Sequence, residues 1–214
     1  MKDKIKILYE DKYLLIVNKP NNLLTIATSK EKENTMYHKV LLYLRKKNQK
    51  VFIVHRLDKD TSGLIIFAKS EKIKRYLQDN FNEITRKYMA IVEGIPAKKR
   101  DTIKSYLAET KTNLVYITND KSGKLAITNY KVILEKNNYS LLDIEIKTGR
   151  KNQIRVQLNS IGHPILGDKK YGNSKQKASR LYLHAYYLEF VHPITKELLK
   201  IELDVPKEFI NLLK

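Results

Sequence analysis

Short apolar runs separated by polar turns dominate the chain, and this pattern predicts more strands than helices. Residues 5–20 are interpreted as two short strands around a polar turn. Residues 51–68 contain a strand, the polar loop HRLDKDTSG and a second strand. Another strand is predicted over 86–94, residues 103–146 alternate strand-like runs with turns, and two more strands are expected within 182–203.

Three other segments place their apolar residues at the spacing of a helix face. The first is predicted over 35–47, with Asn34 or Thr35 as its N-cap. The second runs from the N-cap Ser70 to about Phe81 and the third spans 152–161, and a short helix is expected at the end of the chain.

Strands that outnumber helices and follow one another through short connections favour an α+β fold. We expect a largely antiparallel mixed sheet with flanking helices rather than regular βαβ units. The sequence shows no repeat of fixed period and no long linker, so a single domain over residues 1–214 is predicted.

The chain is strongly basic. Lys and Arg total 42 against 23 Asp and Glu, for a net charge of +19. This excess favours binding to nucleic acid or to an anionic membrane surface, although a lysine-rich chain can also simply carry solvated faces. The chain has no cysteine, no apolar run of membrane length, and a charged N-terminus without a secretory pattern. A cytoplasmic protein with no membrane association is expected.

Motifs of the common cofactor-dependent and nucleophilic enzymes are missing from the sequence. It contains neither the Gly-rich dinucleotide motif nor the phosphate-binding P-loop motif, and no G-x-S-x-G elbow. Its five histidines do not show the spacing of a metal site. We therefore predict that the protein uses no cofactor and no metal, and that its chemistry depends on a carboxylate or a cationic side chain.

Three polar segments could carry such chemistry. HRLDKDTSG places Arg56, Asp58 and Asp60 in a loop between two apolar strands. This loop could hold a catalytic group, or Asp60, Ser62 and Gly63 could simply make turn hydrogen bonds. KYMAIVEG places Tyr88 on a strand, either as a core ring or as a functional group. TGRKNQIRVQL places Arg150 and Arg155 around a helix start, on a solvated or a phosphate-facing surface.

Together these strings resemble the motifs of the RluA-type pseudouridine synthases. VHRLDKDTSGLIIFAKS is similar to the family signature. The string IVNKP near the start, and RKYMAIVEG, TGRKNQIRVQLNSIGHPILGDKKYG and LYLHAYYLEFVHPIT after the signature, match further motifs in the family's order. The resemblance implies the pseudouridine synthase fold, with a catalytic cleft across the sheet. It also implies an isomerase that converts uridine to pseudouridine within RNA without a cofactor.

The resemblance also implies roles for individual residues. Asp58 corresponds to the essential aspartate, acting as a nucleophile at C1′ or C6 or through a glycal route. Arg155 corresponds to the arginine that pairs with this aspartate, and Tyr88 to the tyrosine that stacks on the target base. Arg56 matches a position that helps to fill the space left by the extruded nucleotide, and Leu183 a wall of the pocket.

RNA is thus the expected partner, with large-subunit rRNA the first choice of substrate and tRNA the second. The target nucleotide must be flipped out of its helix, which costs a few kcal/mol that attraction to phosphates can offset. The proposed phosphate contacts are Arg150 and the basic residues of a predicted exposed loop over 167–180, namely Lys169, Lys170, Lys175, Lys177 and Arg180.

Some features leave alternatives open. Many relatives carry histidines where this chain has Asn152 and Gln157, and the small S4-like RNA-binding domain that many relatives carry is not expected before Tyr9. The protein is expected to be a monomer. The alternative to an enzyme is a non-catalytic RNA-binding or ribosome-assembly protein on the same scaffold.

Overall fold

The alternation of apolar runs and turns becomes a series of strands in the computed structural model, which describes residues 5–172 and 178–213. In chain order the strands are β1 (Lys6–Glu10), β2 (Leu14–Lys19), β3 (Phe52–Ile53), β4 (Ser62–Ala68), β5 (Thr85–Glu93), β6 (Arg100–Glu109), β7 (Val115–Thr118), β8 (Lys124–Lys136), β9 (Tyr139–Ile146), β10 (Leu183–Val191) and β11 (Leu198–Glu202). The helices are α1 (Met36–Arg45), α2 (Glu71–Asp79), α3 (Gln153–Ser160) and α4 (Lys207–Leu212), with a 3-10 turn at Phe81–Glu83.

The described residues form two compact units. The first unit runs to Ile84 and includes Tyr187–Leu203, and the second contains Thr85–Tyr186 and the residues from Asp204 onward. Strand β10 therefore begins in the second unit and ends in the first. Whether residues 1–214 behave as one domain stays a prediction.

The first unit is built on β2, which pairs antiparallel with β1 on one side and with β4 on the other. Every residue of β4 is buried, which explains its continuous apolar run. The buried stripe of α1, namely Met36, Val40 and Leu44, packs with residues of both central strands, including Leu15 and Phe67. The short β3 pairs with the far end of β4, and β11 pairs with β10.

Two helices of this unit begin where the sequence predicts. The side-chain oxygen of Thr35 accepts the backbone N–H of His38 at 3.1 Å at the start of α1. The hydroxyl oxygen of Ser70 accepts the N–H of Ile73 at 3.3 Å at the start of α2. Each cap satisfies one of the N–H groups that a helix leaves unpaired in its first turn.

The second unit contains an antiparallel sheet in the order β5-β9-β8-β6-β7. Burial alternates strictly along β9, as expected when the two faces of a sheet differ. Helix α3 covers one face, where Val156 packs with Leu107, Val115 and Ala126. These strands and helices confirm the α+β prediction and its largely antiparallel sheet.

Two sequence expectations need correction. The segment 51–54 was expected to be a full strand, but β3 keeps only Phe52 and Ile53 in the ladder. The loop over 167–180 was expected to be exposed, but Asp168 within it is 3% exposed because it pairs with a buried arginine. Lys175 and Lys177 lie outside the described residues.

Within the part of the chain that the structure describes, no helix is both long and apolar enough to cross a membrane.

Candidate active site

The predicted site residues divide between the two units. The first unit holds Asp58 and Arg56, and the second holds the others, which are Tyr88, Arg150, Arg155, Lys169, Lys170 and Leu183.

The loop that carries Asp58 starts where β3 leaves β4. The last pair of this ladder is Ile53 with Phe67, so the next position opposite the chain is Ile66. The backbone N–H of Ile66 instead donates to Nε2 of His55 at 3.1 Å. The imidazole nitrogen thus accepts a hydrogen bond that a backbone carbonyl would accept if the ladder continued. An accepting Nε2 carries no proton.

Two further side chains hold the backbone of this loop before Asp58. The amide of Gln78 donates to the carbonyl of Val54 at 3.0 Å. The hydroxyl of Thr25 accepts the N–H of Leu57 at 3.2 Å and donates to the carbonyl of the same residue at 2.7 Å. The hydroxyl therefore bonds the N–H of the Arg56–Leu57 peptide and the carbonyl of the Leu57–Asp58 peptide, so that both peptides flanking Leu57 are held.

A buried lysine holds the backbone on the other side of Asp58. The side chain of Lys19 is fully buried, and its ammonium donates to the carbonyls of Leu23 at 2.7 Å, Pro20 at 3.0 Å and Lys59 at 3.0 Å. A buried ammonium is tolerated only where its hydrogen bonds are satisfied, and three carbonyl dipoles supply acceptors here. Lys19 thus joins the end of β2 to the loop residue that follows Asp58.

Asp58 itself is half-buried, while Arg56 is exposed. The Asp58 carbonyl accepts the N–H of Thr61 at 3.2 Å, which closes a turn, and Gly63 takes a φ of 119° that favours glycine. The backbone of this segment thus contains a turn, and the Asp58 side chain lies on a firmly held, partly accessible loop.

Tyr88 lies on the buried face of β5, on which Ala90 and Val92 follow it. It is 9% exposed and stands opposite Ile144 of β9. Arg86, two residues earlier on the same face, is 3% exposed. Burial lowers the pKa of Arg86, and the Tyr88 phenol opposes this effect. A tyrosine and an arginine thus share one buried strand face.

Arg155 lies on α3 and forms a buried, two-pronged ion pair with Asp168. Its Nε donates to Oδ2 and its Nη2 donates to Oδ1, both at 2.7 Å. The side chains are 8% and 0% exposed. This parallel arrangement fixes the plane of the guanidinium. The prediction that Arg155 pairs with Asp58 stays a prediction.

Asp168 is held in its ionised form by several donors. Burial acts to raise its pKa, but the hydrogen bond and charge of Arg155 and the backbone N–H groups of Tyr171 and Lys170 outweigh burial, so that the pKa lies below its ordinary value. No local sequence pattern indicates this role for Asp168. The available signal is that Asp168 is the one acidic residue in the otherwise basic segment GDKKYGNSKQKASR.

The two positions that depart from the family pattern have their own hydrogen bonds. Asn152 adopts a left-handed φ of 53° before α3, accepts from Nη1 of Arg155 at 3.4 Å and donates to the Tyr171 hydroxyl at 3.0 Å. The amide of Gln157 donates to the Ser105 hydroxyl at 2.9 Å. Asn152 therefore supports Arg155 directly, and the Tyr171 ring lies 5.3 Å from the guanidinium.

The proposed phosphate contacts differ in their exposure and in the bonds they make within the protein. Arg150, Lys169 and Lys170 are exposed, and Nζ of Lys170 donates to the carbonyl of Asn113 at 2.9 Å. Arg180 pairs with Glu208 at 2.6 Å.

Leu183 is 3% exposed and begins β10. Among residues 5–172 and 178–213, no cluster of three or more histidine or acidic side chains could hold a metal ion.

The chain is similar to known RNA pseudouridine synthases. A family model described as RNA pseudouridylate synthase matches residues 13–160. An uncharacterized RNA pseudouridine synthase of Bacillus subtilis (strain 168) is 36% identical and aligns with 98% of this chain and 71% of its own length. The ribosomal large subunit pseudouridine synthase D of Zymomonas mobilis is 34% identical, with 98% and 72% covered.

A solved structure supports the fold. The human RNA pseudouridylate synthase domain containing 1 superposes with a TM-score of 0.79 at 24% identity, covering 99% of this chain and 86% of the human chain.

Proposed function

Because the chain belongs to the RluA-type family of RNA pseudouridylate synthases and is an isomerase, we propose that it converts uridine in large-subunit ribosomal RNA to pseudouridine, with Asp58 as its catalytic carboxylate. The N1–C1′ bond of the nucleotide breaks, the uracil turns, and C5 joins the same ribose carbon. The proton lost from C5 balances the one gained at N1, so that no atom is added or removed.

The support for Asp58 is its firmly held loop within the HRLD string. A catalytic carboxylate must be kept close to its productive orientation, and misplacement by about 1 Å can lower a rate about 100-fold. The loop backbone around Asp58 is bonded by Thr25 on one side and Lys19 on the other. Attack at C1′, attack at C6 and a glycal route all need this carboxylate in its ionised form.

For Tyr88, we propose that the ring stacks on the uracil while the base is detached from its sugar. Stacking holds a planar base without using the polar edges that must change partners as it turns. The position of Tyr88 on a buried strand face keeps the ring from moving with the base. Its hydroxyl is the proposed group for moving a proton during the rearrangement.

Arg155 is the proposed source of the positive charge that keeps Asp58 ionised. An opposite charge within about 4–6 Å lowers a carboxyl pKa, and this effect counteracts burial. The ion pair with Asp168 supports the role, since it sets the plane of the guanidinium and leaves the Nη1 edge turned toward Asn152.

Large-subunit ribosomal RNA is the proposed substrate because the similar protein of Zymomonas mobilis is named a ribosomal large subunit pseudouridine synthase. The net charge of +19 supports RNA binding of either kind. Transfer RNA is the alternative, and mapping pseudouridine in cells with and without the protein decides between them. Loss of pseudouridine from tRNA alone would reject the ribosomal proposal.

The test of the mechanism is Asp58→Asn, with Asp60→Asn as a matched control in the same half-buried loop. Pseudouridine formation in transcribed ribosomal RNA and RNA affinity are both measured. We expect Asp58→Asn to lose activity by several orders of magnitude at unchanged affinity, and Asp60→Asn to stay near wild type. Equal activity of Asp58→Asn and wild type would remove Asp58 from the mechanism. Normal RNA binding by an inactive wild-type protein would favour the non-catalytic alternative.

A further inference from the structure

Thr25 is a buried threonine outside the helices and strands, in the segment between β2 and α1. It is 2% exposed, and its hydroxyl makes both of its hydrogen bonds to one residue, Leu57. The N–H of Leu57 donates to the hydroxyl oxygen at 3.2 Å, and the hydroxyl donates to the carbonyl of Leu57 at 2.7 Å.

These two bonds act on the backbone in the way that a neighbouring strand would. In an antiparallel sheet, one residue exchanges both its N–H and its C=O with a single partner, and this fixes the local chain direction. Leu57 lies outside the strands, and a side chain supplies this pair of bonds instead. Because the carbonyl of Leu57 belongs to the peptide that leads into Asp58, Thr25 fixes the plane from which the Asp58 side chain departs.

Thr25 is itself anchored to a rigid element. Its backbone carbonyl accepts the N–H of Tyr37 at 3.0 Å, and the carbonyl of Leu24 accepts the N–H of Met36 at 2.7 Å. Both donors belong to the first turn of α1. These backbone bonds hold Thr25 in place, and its hydroxyl reaches from this fixed segment to the loop that holds Asp58.

We propose that Thr25 is a positioning residue for Asp58, a role that rests on the proposed catalytic function of Asp58. Thr25 touches no reacting atom. It acts by keeping the Leu57–Asp58 peptide in one orientation, so that the Asp58 carboxylate keeps the same orientation toward the nucleotide in each turnover. Loss of the hydroxyl is expected to slow the chemical step far more than it weakens RNA binding.

The test compares Thr25→Val, which keeps the side-chain shape and removes the hydroxyl, with Thr25→Ser, which keeps the hydroxyl. Single-turnover rate, RNA Kd and Tm are measured for each. We expect Thr25→Val to lower the rate about 10- to 100-fold, as misplaced catalytic groups do, with Kd within about twofold of wild type. Thr25→Ser should stay within about threefold of the wild-type rate.

A purely structural role is separated by a matched variant of Thr35, which caps the same helix but does not bond the loop. Thr35→Val should lower Tm by about 2–4 °C, the effect of losing one cap in a chain of this size, and leave the rate unchanged below that temperature. Where Thr25→Val does not fold, Thr25→Ala replaces it, because Ala and Ser at this position differ by the single oxygen.

The possible failures are distinct. An inactive wild-type protein, or an Asp58→Asn variant as active as wild type, contradicts the proposed function. An active wild type with equal rates for the hydroxyl-bearing and hydroxyl-free variants of Thr25 overturns the positioning role alone. The positioning role is also overturned if the loss of rate in Thr25→Val is explained by the fraction of the variant that its Tm shows to be unfolded at the assay temperature.

Discussion

Replacing Asp168 with Asn tests the buried ion pair on which the placement of Arg155 depends. Asn keeps the shape of the side chain but removes the charge and one acceptor oxygen of the two-pronged contact, whose distances are both 2.7 Å. The Arg155 guanidinium, 8% exposed, would then lose its charged partner. Removing one partner of a buried pair destabilises a protein by about 3–5 kcal/mol.

In thermal unfolding this loss corresponds to a Tm decrease of about 6–20 °C, at about 2–4 °C per kcal/mol for a chain of this size. Urea unfolding measures the free energy directly. Glu71→Gln is the control, since Glu71 pairs with Arg75 on the exposed surface of α2 and such pairs contribute about 0.3–0.5 kcal/mol. A change of less than about 1 kcal/mol for Asp168→Asn would refute the argument from burial.

The pH dependence of stability gives a second test of the Arg155–Asp168 ion pair. The pKa of Asp168 is lowered in the folded protein, so its contribution to stability is present above the unfolded value of about 3.9 and is lost as pH falls through the folded value. The stability difference between wild type and Asp168→Asn should therefore narrow below about pH 4. A constant difference throughout acid titration would contradict a carboxylate origin.

Two further predictions concern the site. Tyr88→Phe keeps the ring that is proposed to stack on the base and loses the hydroxyl, so turnover should fall by about 10²–10⁴ in kinetic assays while RNA Kd changes little. Unchanged turnover would limit Tyr88 to stacking. RNA affinity should fall about 100-fold between 50 and 200 mM salt if about four phosphates are neutralised. Binding that is insensitive to salt would show that the excess of basic residues does not contact the RNA backbone.

Local patterns predicted the elements whose signals lie within a few residues. The stripe Met36, Val40 and Leu44 identified α1 because a helix repeats its contacts every turn, and Thr35 identified its start because a cap bonds only three residues onward. The family motifs identified Asp58 as a candidate before any contact was known.

Contacts between distant segments could not be found in this way. Asp168 looked like part of a solvated basic loop, since burial of a carboxylate depends on an arginine thirteen residues away on a folded helix. Thr25 carried no sequence signal at all, because its partner Leu57 is 32 residues further along the chain. The end of β3 at Ile53 could not be predicted either, because the next N–H of β4, that of Ile66, donates to the His55 ring and not to a backbone carbonyl.

Lys19 makes the geometry of the Asp58 loop a consequence of strand alignment. Lys19 stands opposite Gly63 at the end of the β2–β4 ladder, with its ammonium bonded to the Lys59 carbonyl. A slip of one residue between these strands would turn every side chain of β2 to the opposite face. The ammonium would then be withdrawn from the loop, and the carboxylate proposed for catalysis would lose its support. Under that proposal, enzymatic turnover also shows that the chain has folded with its correct strand register.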